Sequence, residues 1–98
     1  MTINDYLNEA KINAKATFDA IVTQAKEINN SNPAILRRED QHIETCQEAA
    51  FSKPLAGLPI VIKDNILLEN TISSCGSKML EHYVAPYTST VVRRLEDA

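Results

Sequence analysis

The sequence predicts an α/β fold, and three observations carry that prediction. Apolar residues recur at helical spacing, without a Pro or Gly, from Thr2 to Asn29 and again up to about Phe51. At Ser52 the texture changes. Pro54, Gly57 and Pro59 punctuate the chain, and Leu58, Ile60, Val61 and Ile62 form a short run that is apolar on both faces, the mark of an interior strand in a layered protein. A last amphipathic segment begins near Ser89 and carries Val91, Val92 and Leu95.

The first helix presents Ile3, Leu7, Ala10, Ala14, Phe18, Ile21, Val22, Ala25 and Ile28 on one face, as one long helix or two short ones. Asn29, Asn30, Ser31, Asn32 and Pro33 then supply helix-stopping chemistry and predict a turn. The second helix sets Ile35, Leu36, Ile43, Cys46, Ala49, Ala50 and Phe51 against Arg37, Arg38, Glu39, Asp40, Glu44 and Glu48. After the strand at 58–62, a weak β segment is expected at 71–74 and a helical turn within 77–83. Thr88 or Ser89 is positioned to cap the final helix, with Arg93 and Arg94 on its wet side. The organisation expected is a helical region at 1–53 and the start of an α/β domain at 54–98. The final helix reaches Ala98 without a Gly, Asn or Pro to end it, and the interior-type strand has no evident partner. The sequence therefore reads as the front of a longer domain.

Composition removes several functions. The 98 residues allow one domain at most. Only 2 glycines are present, too few for a phosphate cradle or a dinucleotide turn. The net charge of −3, spread evenly, argues against a dedicated nucleic-acid surface. No apolar stretch approaches the ~20 residues of a membrane span, and the polar N-terminus does not resemble a secretory signal, so a soluble, cytoplasmic protein is expected. The 2 cysteines, Cys46 and Cys75, make no disulfide framework.

Lys63 is the most informative position, because it leaves the apolar run and is followed by Asp64 and Asn65. A lysine delivered into a dry pocket is favoured as the neutral amine and can serve as a base. By pattern alone, a lysine that snorkels to water or pairs with Asp64 is the commoner outcome. Ser73 and Ser74 are adjacent hydroxyls, but they lack the glycines that shape an oxyanion-binding turn, and are read as loop residues. Cys75 without a placed base reads as a small packed residue. His42 and Cys46 share a helix face at a spacing that can bind metal. With no third ligand nearby they read as a surface pair, and His82 reads as a surface residue near a turn.

The stretch Pro54-Leu55-Ala56-Gly57-Leu58-Pro59-Ile60-Val61-Ile62-Lys63-Asp64-Asn65-Ile66 resembles the amidase signature family, as do Ser74-Cys75-Gly76-Ser77-Lys78-Met79-Leu80-Glu81 and Tyr87-Thr88-Ser89-Thr90-Val91-Val92 with Leu95. The helices before Pro54 agree with it only in kind, with Asn32-Pro33-Ala34-Ile35 as the best local echo. The segment around Cys75 to Glu81 is most similar to the family's tRNA-linked branch. The resemblance implies a complete domain with a mixed sheet covered by helices, and a triad of two serines and a lysine, with Lys63 in the lysine's place as the catalytic residue. It implies glutamine hydrolysis that supplies ammonia for transamidation of misacylated Glu-tRNA(Gln) or Asp-tRNA(Asn). Partners would be the other subunits of a heteromeric amidotransferase, with tRNA met only through the complex. No cofactor is expected in this chain, ATP and Mg²⁺ being used by a partner subunit. Neither triad serine is identified within these residues, so the chain by itself is expected to be inactive. Two other readings stay open: a general amide hydrolase of the same family, or a non-catalytic helical interaction module using residues 2–51.

Overall fold

Thr2 starts α1 (Ile3–Ser31) with a reciprocal cap: its hydroxyl accepts from the Asp5 N–H, and the Asp5 carboxylate accepts from the Thr2 N–H at 2.7 Å. The computed structural model describes residues 1–98, and its other helices are α2 (Asp40–Phe51) and α3 (Thr90–Asp97), with a 3₁₀ turn at Lys78–Leu80. The chain divides into two compact units, Met1–Ile60 and Val61–Ala98.

In the first unit α1 is two helices joined at a kink, with Asn13 at φ −155° and ψ 93°. Asn13 acts as an internal N-cap. Its side-chain oxygen accepts from the Ala16 N–H at 3.0 Å, while its carbonyl accepts from the Thr17 hydroxyl at 2.9 Å. Asparagine competes with helical backbone bonding in this way, which is why an uninterrupted apolar stripe left both alternatives open. Asn29 organises the exit, accepting from the N–H groups of Ala34 and Ile35 and donating to the Ile35 carbonyl. The predicted turn therefore forms, anchored by the last turn of the helix itself.

Tyr6, Ala10, Thr17 and Phe18 are the buried residues of α1. Phe18 meets Phe51 of α2 edge to face, with ring centroids 6.0 Å apart and planes at 71°. Tyr6 is the largest side chain buried outright, and its hydroxyl donates to the Ala56 carbonyl at 3.1 Å. The turn after α2 has Ala56 at φ 48° and Gly57 at φ 72°. A Cβ on Gly57 would lie 2.8 Å from Phe51 Cδ1, so the glycine serves both the left-handed backbone and the close approach of the ring.

The second unit is built on backbone pairing without a regular sheet. Segments 67–73 and 83–89 run antiparallel, with the Ser73 N–H donating to the Tyr83 carbonyl, the Ala85 N–H to the Thr71 carbonyl, and the Ser89 N–H to the Leu67 carbonyl. The β segment expected at 71–74 is reduced to one bridge, Ile72 with Val84. Leu68, Ala85 and Val92 are its buried apolar residues. The helical turn expected within 77–83 is the 3₁₀ turn, capped by the Ser77 hydroxyl, which accepts from the Met79 N–H. Ser89 occupies the N-cap position of α3, but its hydroxyl makes no capping bond. The Thr88 hydroxyl instead accepts from the Glu69 N–H at 3.1 Å, tying the two segments together.

The expected interior strand does not form. Residues 58–63 are irregular, with Ile60 44% and Val61 72% exposed, and the structure is helical without a strand. A strand exists only as a member of a ladder, and residues 59–62 form no backbone pairing with another segment.

Two outcomes test this account. Gly57→Ala forces a Cβ against Phe51 in a left-handed backbone, and is expected to destabilise the chain by about 1–3 kcal/mol, seen as a lower urea midpoint at unchanged m. The backbone and side-chain bonds from Thr2 hold the Asp5 carboxyl below its ordinary value of 3.8. Since the folded value lies below the unfolded one, the ionised cap contributes stability above the unfolded value and loses it as the pH falls through the folded value. An NMR titration of the Asp5 carboxyl should show the depressed midpoint, and Thr2→Ala should raise it; equal midpoints in the two proteins would contradict the cap.

Candidate functional site

Lys63 stands at the end of the 58–62 run, its side chain exposed and its carbonyl accepting from the Ile66 N–H at 2.9 Å. That bond closes a turn through Asp64 and Asn65. The next residue, Asp64, collects the bonds of a second loop. Its carbonyl accepts from the Ser73 hydroxyl at 2.8 Å and from the Cys75 N–H at 3.4 Å. Its Oδ2 accepts from the Ser74 hydroxyl at 2.5 Å and from the Gly76 N–H at 3.3 Å.

Both serines are buried, Ser73 at 3% and Ser74 at 8% exposure. A hydroxyl withdrawn from water needs a partner, and each finds one on Asp64. Cys75 at φ 52° and Gly76 at φ 68° are successive left-handed residues, and their N–H groups both point to Asp64. Here the acceptors are the carbonyl and the carboxylate of Asp64. The Gly76 N–H is engaged by that carboxylate, and the Ser73 and Ser74 hydroxyls tie the loop to Asp64.

Sequence reasoning placed Asp64 only as an ion partner for Lys63 and missed its role as a hub. The available signal was a short acidic side chain beside Asn65, with paired serines nine and ten residues on, since Asp and Ser side chains commonly bond nearby backbone in turns.

The remaining candidates stay apart from this cluster in their chemistry. His42 Nε2 lies 3.8 Å from Cys46 Sγ on exposed α2, and no group of three or more His, Cys, Asp and Glu side chains comes together to hold a metal. His82 is exposed, 3.4 Å from Glu81. Cys75 is an exposed free thiol. The helical unit has an open cleft of about 530 Å³, lined by Leu7, Lys11, Phe51, Lys53, Pro54 and Ala56 among others, without a nucleophile and base side by side. No helix is long and apolar enough to cross a membrane.

Comparison with known proteins adds independent information. A family model described as Amidase matches residues 8–98. The A subunit of glutamyl-tRNA(Gln) amidotransferase from Leptospira interrogans is 34% identical over 101 residues, covering 95% of this chain and 21% of the relative. The protein of the same name from Moorella thermoacetica is 35% identical over 104 residues, covering 98% of this chain and 21% of the relative. The one from Haloarcula marismortui is 55% identical over 51 residues, covering 52% of this chain and 12% of the relative. The chain thus spans about a fifth of the length of the first two relatives. No solved structure matches.

Proposed function

Since the chain belongs to the amidase family, we propose that it is the part of a glutamine-hydrolysing amidotransferase subunit that supplies the catalytic lysine, Lys63. The observation that carries this reading is the family match across residues 8–98, joined to relatives that each bear the name of a glutamyl-tRNA(Gln) amidotransferase subunit. In the complete protein the run at 58–62 becomes an interior strand of a mixed sheet, and that cover gives Lys63 the dry surroundings a neutral amine requires.

The chemistry then follows from proton positions. A serine hydroxyl attacks the side-chain carboxamide carbon of glutamine, and its proton passes through a bridging serine to the Lys63 amine. The same route returns a proton to the departing ammonia, and water later releases glutamate from the acyl-serine. The ammonia serves transamidation of a misacylated tRNA, carried by a partner subunit that uses ATP and Mg²⁺. Neither serine is assigned to Ser73 or Ser74, whose hydroxyls already donate to Asp64. The 98 residues by themselves therefore release no ammonia.

The test is ammonia release from glutamine by the protein as the cell makes it, with the subunits that co-purify. Lys63→Ala is expected to reduce the rate by about 10³-fold or more while far-UV circular dichroism is unchanged. Activity retained in that variant would remove Lys63 from the role. Hydrolysis of simple primary amides in preference to glutamine would point to a general amide hydrolase instead.

A further inference from the structure

We infer that Asp64 is a positioning residue for Lys63, fixing the backbone from which the lysine side chain projects. The inference rests on the reading of Lys63 as the base and adds a second residue to it. A lysine amine ends a flexible four-carbon stem, so it meets a proton donor reproducibly only if its Cα is held still. Lys63 ends the 58–62 run, so its Cα is fixed only if the chain is held on both sides of it. On the C-terminal side the Lys63 carbonyl accepts from the Ile66 N–H, and the adjoining Asp64 is tied at both main chain and side chain.

Four donors converge on Asp64: the hydroxyls of Ser73 and Ser74 and the N–H groups of Cys75 and Gly76. The hydroxyls are buried, so bulk water does not readily replace Asp64 as their partner. Cys75 has a Cβ yet holds φ at 52°, a conformation that side chains other than glycine persist in only when their surroundings impose it. The bonds of this turn to Asp64 are the constraint present there. A carboxylate whose Oδ2 takes the Ser74 hydroxyl and the Gly76 N–H anchors the loop at 73–76 to the segment that carries Lys63.

The experiment compares Asp64→Ala, Asp64→Asn, Ser74→Ala and Lys63→Ala in the protein as the cell makes it, with its co-purifying subunits, reading kcat and KM for ammonia release from glutamine. Asp64→Ala is expected to lower kcat roughly 10- to 100-fold, the scale of a small misplacement of a catalytic group, with KM within about twofold of the parent. Asp64→Asn keeps an oxygen that can accept from Ser74 and Gly76, and should recover most of that loss. Ser74→Ala should lower kcat in the same direction by less, and it carries the test if Asp64→Ala fails to fold. Parental kcat in Asp64→Ala, or in Ser74→Ala where it stands in, overturns the positioning role, provided Lys63→Ala is inactive. A KM that rises while kcat holds also overturns it. Activity in Lys63→Ala instead overturns the reading of Lys63 as the base.

Discussion

Buried hydroxyls and amides must be satisfied, and in the second unit one residue does much of the satisfying. Asp64 is the acceptor for Ser73, Ser74, Cys75 and Gly76. Without it, two buried serines would lose their partners and a left-handed turn would lose what holds it. The segment has no sheet to give it shape, so a polar hub stands in for the ladder. The antiparallel pairing of 67–73 with 83–89 continues the same logic with backbone groups, and the Thr88 hydroxyl closes it at the Glu69 N–H. Short polar side chains thus do locally what strands do over longer distances.

The helical unit shows a related dependence on small polar residues placed at ends and joints. Asn13 caps the second half of α1 from inside, Thr2 and Asp5 cap the first half, and Asn29 ties down the exit. Apolar packing then supplies cohesion through Phe18 and Phe51. Tyr6 joins the two kinds of interaction by burying its ring while giving its hydroxyl a carbonyl. Gly57 matters because two demands coincide on it, a backbone angle and the nearness of an aromatic ring.

The chain belongs to the amidase family, whose model matches residues 8–98. The chain corresponds to about a fifth of relatives such as the Leptospira and Moorella proteins. In that setting the absence of a ladder at 58–62 is physically consistent with an apolar run that suits burial on both faces. Such a run gains stability from paired strands on each side, and without that pairing Ile60 and Val61 face water.

The sequence by itself determined the three helices in outline, the helical turn within 77–83 and the family, because helical spacing and a contiguous motif are local or nearly so; the second helix, however, starts only at Asp40, leaving Ile35 and Leu36 in the irregular segment after α1. It singled out Lys63 through that motif as a candidate, and it placed Ser73 and Ser74 in a loop, where they lie. Only the tertiary structure decided that α1 breaks at Asn13, that Thr88 bonds Glu69 instead of capping α3, and that Asp64 gathers a loop nine to twelve residues away. Those outcomes depend on which partner a side chain reaches among several within range. The interior strand was misjudged for the same reason: apolar character is written in the residues, but a strand is a property of two segments, and pairing is settled in space.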